Sequence, residues 1–135
     1  MIRKITADGS VTTIAGTNIS GYKDGDKLTA AFVDIESIAI DNKGTIYVTD
    51  NEFTNNRGSS GYCVIRKIST EGIVTTIKNG SDGELRIHYA RGLGCDKYGN
   101  LYVNASVSHC IKKISPSGVI TTLAGQCDKT IFNSV

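Results

Sequence analysis

The side chains with the most chemical potential in this chain are two histidines, four cysteines and a few paired acids. An imidazole titrates near neutral pH and ligates metals. His88 lies between Arg86 and Arg91 and reads as a solvated loop residue, while His109 precedes a strand and reads as a structural side chain bonding a neighbouring loop. Cys63, Cys95, Cys110 and Cys127 make no C-x-x-C pair and no zinc spacing. Cys95 takes the place of Ile40 in a repeat, and Cys110 that of Val64, so both are expected to be small buried hydrophobes with reduced thiols. Asp24 and Asp26, in Lys-Asp-Gly-Asp-Lys, hint at calcium. A calcium loop needs more oxygen ligands at set spacing and a closing Glu, so a polar turn is the expectation. Asp50 and Glu52 end a strand and could join a metal site only with ligands from further repeats.

No G-x-S-x-G nucleophile motif, P-loop or dinucleotide fingerprint occurs. Gly58–Gly61, Gly-Ser-Ser-Gly, lacks the Lys-Ser/Thr that a phosphate cradle needs. The chain is therefore expected to be non-enzymatic, with no cofactor and no metal. Its 135 residues carry a net charge of +2, far from the basic excess of a nucleic-acid binder. Lys23, Lys27 and Arg57 do lie near Tyr22, Phe53 and Tyr62, but Asp24, Asp26 and Glu52 offset them. Nucleic acid is not the expected partner. No apolar run approaches the roughly 18 residues of a membrane span. The N-terminus has no long apolar stretch after its positive charges, so the chain is expected to be intracellular.

These residues must be positioned by a repeat. The phrase at 2–16, IRKITADGSVTTIAG, returns at 65–79 and again at 111–125. Each copy holds two runs rich in Ile, Val and Thr around a polar triplet ending in Gly9, Gly72 or Gly118. A glycine there supplies the positive φ of a tight, bulged hairpin. A second phrase alternates with the first: SIAIDNKGTIYVTD at 37–50 and GLGCDKYGNLYVNA at 92–105. Asp41 and Asp96 start its turns as Asx residues, and Gly44 and Gly99 follow in the left-handed position. Tyr47 and Tyr102 share one repeat position and are expected to pack between units.

With the second phrase supplying strands a and b and the first supplying c and d, the chain reads as one domain. It holds a half unit at 2–15, full units at 37–77 and 92–123, and a tail at 126–135. Helix has little support; the run 27–37 offers at most a short turn. The longest links, 17–34 and 51–62, are expected on one face, which makes that face the candidate binding surface. Its candidate residues are Tyr22, Lys23, Asp24, Asp26, Lys27, Phe53, Asn55, Asn56, Arg57 and Tyr62.

Tandem four-stranded antiparallel units are the pattern of β-propeller blades. The succession IRKI…G-x-VTTIAG, GYKDGDKLTAAF and SIAIDNKGTIYVTD resembles the NHL-repeat family over almost the entire chain. His109 keeps that family's histidine before strand c; Cys63 replaces it in the first full unit, after a long insert. Phe132 and Asn133 match the family's usual Phe-Asn. The resemblance implies an all-β, NHL-like propeller of about six blades, of which this chain supplies about two and a half. It also implies a recognition platform for proteins, carbohydrates or single-stranded RNA, with metal-dependent lactonases and an amidating lyase among related propellers. An open arc exposes apolar faces and a strand edge. The chain is then a piece of a longer propeller, a self-associating protein, or one completed by another protein. The expected role is protein binding or self-association; the alternative is part of a metal-dependent hydrolase or lyase ring, or an RNA platform.

Overall fold

A computed structural model describes residues 1–53, 59–79, 83, 85–106 and 108–127. Its elements grow from five near-identical turns. In the first phrase, Gly9, Gly72 and Gly118 take φ values of 84°, 88° and 86°. Their N–H groups donate to the carbonyls of Thr6, Ser69 and Ser115. In the second phrase, Gly44 and Gly99 take 85° and 83° and donate to the carbonyls of Asp41 and Asp96. Asp41 Oδ1 accepts the N–H groups of Lys43 and Thr45, both at 2.9 Å. Asp96 Oδ1 accepts those of Tyr98 and Asn100, also at 2.9 Å. The local sequence thus closes each hairpin before any distant contact is needed.

The strands form three antiparallel sheets, and the described residues contain no helix. The first sheet pairs β1 (Ile2–Ile5) with β2 (Val11–Ala15). The second runs β3 (Ile35–Ile40), β4 (Ile46–Phe53), β5 (Ser59–Ile68) and β6 (Val74–Thr76), with β7 (Arg86–His88) also paired to β5. The third runs β8 (Ala90–Cys95), β9 (Leu101–Ala105), β10 (Cys110–Ile114) and β11 (Ile120–Gly125). No sheet closes on itself. The run 27–37 makes a turn capped by Asp26, whose Oδ1 accepts the N–H groups of Leu28 and Thr29, and then enters β3.

The second sheet is covered on both faces, which is why its strands do not alternate cleanly between apolar and polar. One cluster joins Ile2 and Ala15 of the first sheet to Ile46, Val48, Ile68 and Val74, with Ala30 and Phe32 of the link between them. The other joins Tyr47, Cys63 and Ile65 to Leu101, Val103, Ala105, Cys110 and Ile114 of the third sheet. Tyr47 therefore packs between sheets as expected, while Tyr102, at the same repeat position, is only half-buried. Strands β3 and β8 are tied directly: the Cys95 thiol donates to the Ile40 carbonyl at 3.0 Å, and Leu93 N–H donates to Ser37 Oγ at 3.1 Å.

Two features depart from the expected layout. The last strand of the second sheet is split. Val74–Thr76 lies opposite Arg66–Ile68, and Arg86–His88 pairs along the same edge opposite Tyr62–Val64. His88 is thus a strand residue, its ring 4.8 Å from that of Tyr62, rather than a loop residue. The second departure is a disulfide between Cys110 and Cys127 where reduced thiols were expected. Cys110 is buried as predicted, but Gly125 pairs with it across β10 and β11 and turns the chain back, so Cys127 arrives with a Cα–Cα distance of 5.4 Å. A Cβ on Gly125 would sit 2.2 Å from the His109 carbonyl oxygen, so only glycine fits this approach. Cys63 and Cys95 are free. A lasting disulfide belongs to an oxidising setting, so the compartment expected from the N-terminus alone is not established by the fold. No helix among the described residues is long and apolar enough to cross a membrane.

The turn aspartates give the fold a defined acid response. Asp96 is held down to about 2, first by the Asn100 side chain and then by the backbone and tyrosyl donors around it. Because folding favours its ionised form, its contribution is full above the ordinary value of 3.8 and is lost as pH falls towards about 2. The amide resonances of Tyr98 and Asn100 are expected to titrate together with a midpoint near the lower value, and Asp96→Asn to abolish the step. A midpoint at the ordinary carboxylate value would rule out the hydrogen-bonded turn.

Candidate functional site

The candidate loop face is built around one buried cation. Arg66, the Arg of IRKI in the second sheet, is fully buried. Its Nη1 donates to Asp50 Oδ2 at 2.8 Å and to the Ala31 carbonyl at 3.3 Å. Its Nη2 donates to Asp24 Oδ1 and to the Lys23 carbonyl, both at 2.8 Å. The guanidinium lies 4.8 Å from the Tyr22 ring centre and 5.2 Å from that of Phe32. A planar fork with several donors suits this arrangement; an ammonium does not.

The link carries these partners because it folds back on the sheet. Gly25 and Val74 exchange backbone hydrogen bonds at 3.1 and 2.8 Å, which places residues 22–26 as a strap along the free edge of β6. Asp24 Oδ2 accepts Thr76 N–H at 2.9 Å, and the Tyr22 hydroxyl donates to Thr76 Oγ1 at 3.2 Å. At the other end of the clamp, Asp50 Oδ1 accepts the N–H groups of Val33 and Asp34 at 2.9 and 3.0 Å. Burial pushes the Asp50 carboxyl up, against the lowering by those N–H groups and by Arg66. Both Asp50 oxygens are thereby engaged inside the protein.

The structure accordingly brings Tyr22, Lys23 and Asp24 together, but around Arg66 rather than around an open site. Asp26 caps its own turn, and Lys23 and Lys27 are exposed. Tyr62 is paired across the sheet to His88 and stays partly exposed. Phe53 ends β4, opposite Ser59. Asn55, Asn56 and Arg57 lie outside the described residues. Sequence reasoning missed Arg66. The repeat did not signal it: the first hairpin carries Arg3 at the same position and leaves it exposed, and the third carries Lys112.

Of the other residues singled out for chemistry, Cys63 is taken up by the core. The Cys63 thiol donates to the Ile87 carbonyl and accepts Ala90 N–H, and burial pushes it up to about 11. It is a protonated core group and no nucleophile near neutral pH. His109 sits exposed at the turn into β10 with a φ of 51°. Among the described residues, no three His, Cys, Asp or Glu side chains gather as a metal site would require.

Apolar side chains stay exposed on the first and third sheets. Ile5 and Val11 lie opposite each other across β1 and β2 and are 71% and 51% exposed. Their counterparts in the second sheet, Ile68 and Val74, are completely buried. At the far end, Ile111 and Leu123 are 42% and 58% exposed, while Ile65, the counterpart of Ile111, is buried against the third sheet. Among the described residues the first sheet has two strands, and Ile38 and Ile40 of β3 are exposed. Compared with known families and curated proteins, the chain matches no family model and no curated sequence.

Proposed function

We propose that this chain is a non-enzymatic assembly module, an arc of NHL-like propeller units whose uncovered ends associate with further copies. The observation that carries the reading is the repeat correspondence. Residues that are buried inside the chain, where one sheet covers the next, recur exposed at both ends. A sheet like the third on one copy, placed against a sheet like the first on the next, would bury Ile111 and Leu123 against Ile5 and Val11. That repeats the packing already made twice within the chain. Such head-to-tail contacts between unlike faces build rings or open chains rather than isologous dimers. The loops 17–34 and 51–62 stay a second candidate surface, with Tyr22 and Asp24 also serving the internal clamp.

Light scattering after size exclusion tests this directly. The chain is expected to run above its 14.4 kDa monomer mass in a concentration-dependent way. Ile5→Glu and Leu123→Lys should each restrict association, and an equimolar mixture of the two should give a heterodimer, because one intact interface remains between them. A wild-type monomer at all concentrations would overturn the proposal. So would a mixture that behaves like either variant alone.

A further inference from the structure

Between the second and third sheets, on the side of the tight turns, a cleft of about 500 Å³ opens above the inter-sheet core. We propose that it binds a small, multiply charged anion. Its volume falls in the range of small-molecule sites. Its floor continues the apolar cluster at Tyr47, and its rim carries Lys43, Lys67, Lys78 and Lys97. None of these ammonium groups is in an ion pair among the described residues, where both ion pairs belong to Arg66. Among the described residues the one carboxylate lining the cleft is Asp41, and it is already engaged by the N–H groups of Lys43 and Thr45 and by the Tyr47 hydroxyl. Like charges collected over a low-dielectric floor repel one another, and they focus a positive potential into the cleft. An anion with several charges relieves that repulsion at several points at once.

The alternative is that these lysines merely solvate exposed turns. Lys67 fits that description, since Lys4 and Lys113 hold the same repeat position. Lys78 does not. The two sister hairpins place Ala15 and Ala124 there, and Ala15 is wholly buried beside Ile2. In the second sheet the strand breaks off after Thr76, and Lys78 stands exposed at the cleft rim instead. The second sheet therefore carries a cation where the sister hairpins carry a small apolar residue. Tyr98, 72% exposed and lying under Lys97 Nζ at 5.0 Å, adds an aromatic wall against which the body of a ligand can rest.

The negative charges could come from phosphate esters or from a polycarboxylate, so calorimetric titrations with inorganic tripolyphosphate and with citrate form the two arms. Saturable binding of either probe, weakening as salt is raised, is expected, and the preferred arm identifies the source. Lys78→Ala, which installs the residue of the sister hairpins and so should fold, is expected to weaken binding about fivefold. Lys4→Ala removes the same charge from an exposed position outside the cleft and should leave binding unchanged. The proposal is overturned if neither probe binds saturably by about 1 mM. It is equally overturned if Lys4→Ala weakens binding as much as Lys78→Ala, because the effect would then belong to net charge and not to the cleft.

Discussion

Arg66→Ala is expected to destabilise the fold by about 3–5 kcal/mol, the usual cost of removing one partner from a buried ion pair. Asp50 is completely buried, and without Arg66 it would keep only its backbone donors. The loss would also reach beyond the pair. Arg66 holds the Lys23 and Ala31 carbonyls and Asp24, so the strap at 22–26 would lose its anchor on the second sheet. Arg66→Lys should recover only part of the loss, because one ammonium cannot serve acceptors spread around a planar fork. Asp24→Asn should cost about 1 kcal/mol, since the Asp24 side chain is 47% exposed and water screens its charge. Urea unfolding of the three variants supplies the comparison. A loss below about 1 kcal/mol for Arg66→Ala would mean that the clamp contributes little beyond packing.

The second large effect is expected at the disulfide. Cys110 and Cys127 are 17 residues apart, and closing a loop of that size restricts the unfolded chain by about 3 kcal/mol. Cys127→Ser should therefore lower stability by about that amount, and reduction of the wild type by dithiothreitol should match it. The loss should concentrate in the hairpin of β10 and β11. The strand β11 lies on the outer edge of the third sheet and has only β10 to pair with among the described residues. Amide exchange at Thr121–Ala124 would then accelerate before that of the second sheet. Counting thiols in denatured, unreduced protein checks the premise: two of the four should react, and four would remove the disulfide altogether.

The hairpins were legible because their signals are local. Asp41 and Asp96 cap turns whose donors lie two and four residues away, and Gly9, Gly72 and Gly118 answer to the same short-range sterics in every copy. The split strand was not legible. Arg86–His88 carries no pattern that distinguishes it from a link, and its place beside β5 depends on a partner strand more than 20 residues away in sequence. The clamp around Arg66 was not legible for a related reason. Tyr22, Lys23 and Asp24 look like an exposed polar loop when read along the chain, because Asp24 is separated from Arg66 by 42 positions.

Local sequence fixes the alphabet of this protein: antiparallel hairpins of Ile, Val and Thr, closed by Asp and Gly at fixed positions and repeated until one sheet covers another. These choices depend on backbone sterics and on neighbours a few residues away, so a single chain states them openly. Which polar groups are spent holding the sheets depends on contacts between distant segments. Arg66 became internal because the strap folded back over it, and Cys110 met Cys127 because Gly125 let two backbones approach. Lys78 reached the rim of a cleft because its strand was interrupted. Each outcome depends on closing a loop and desolvating a charge against particular partners, and those costs are settled only when distant segments meet.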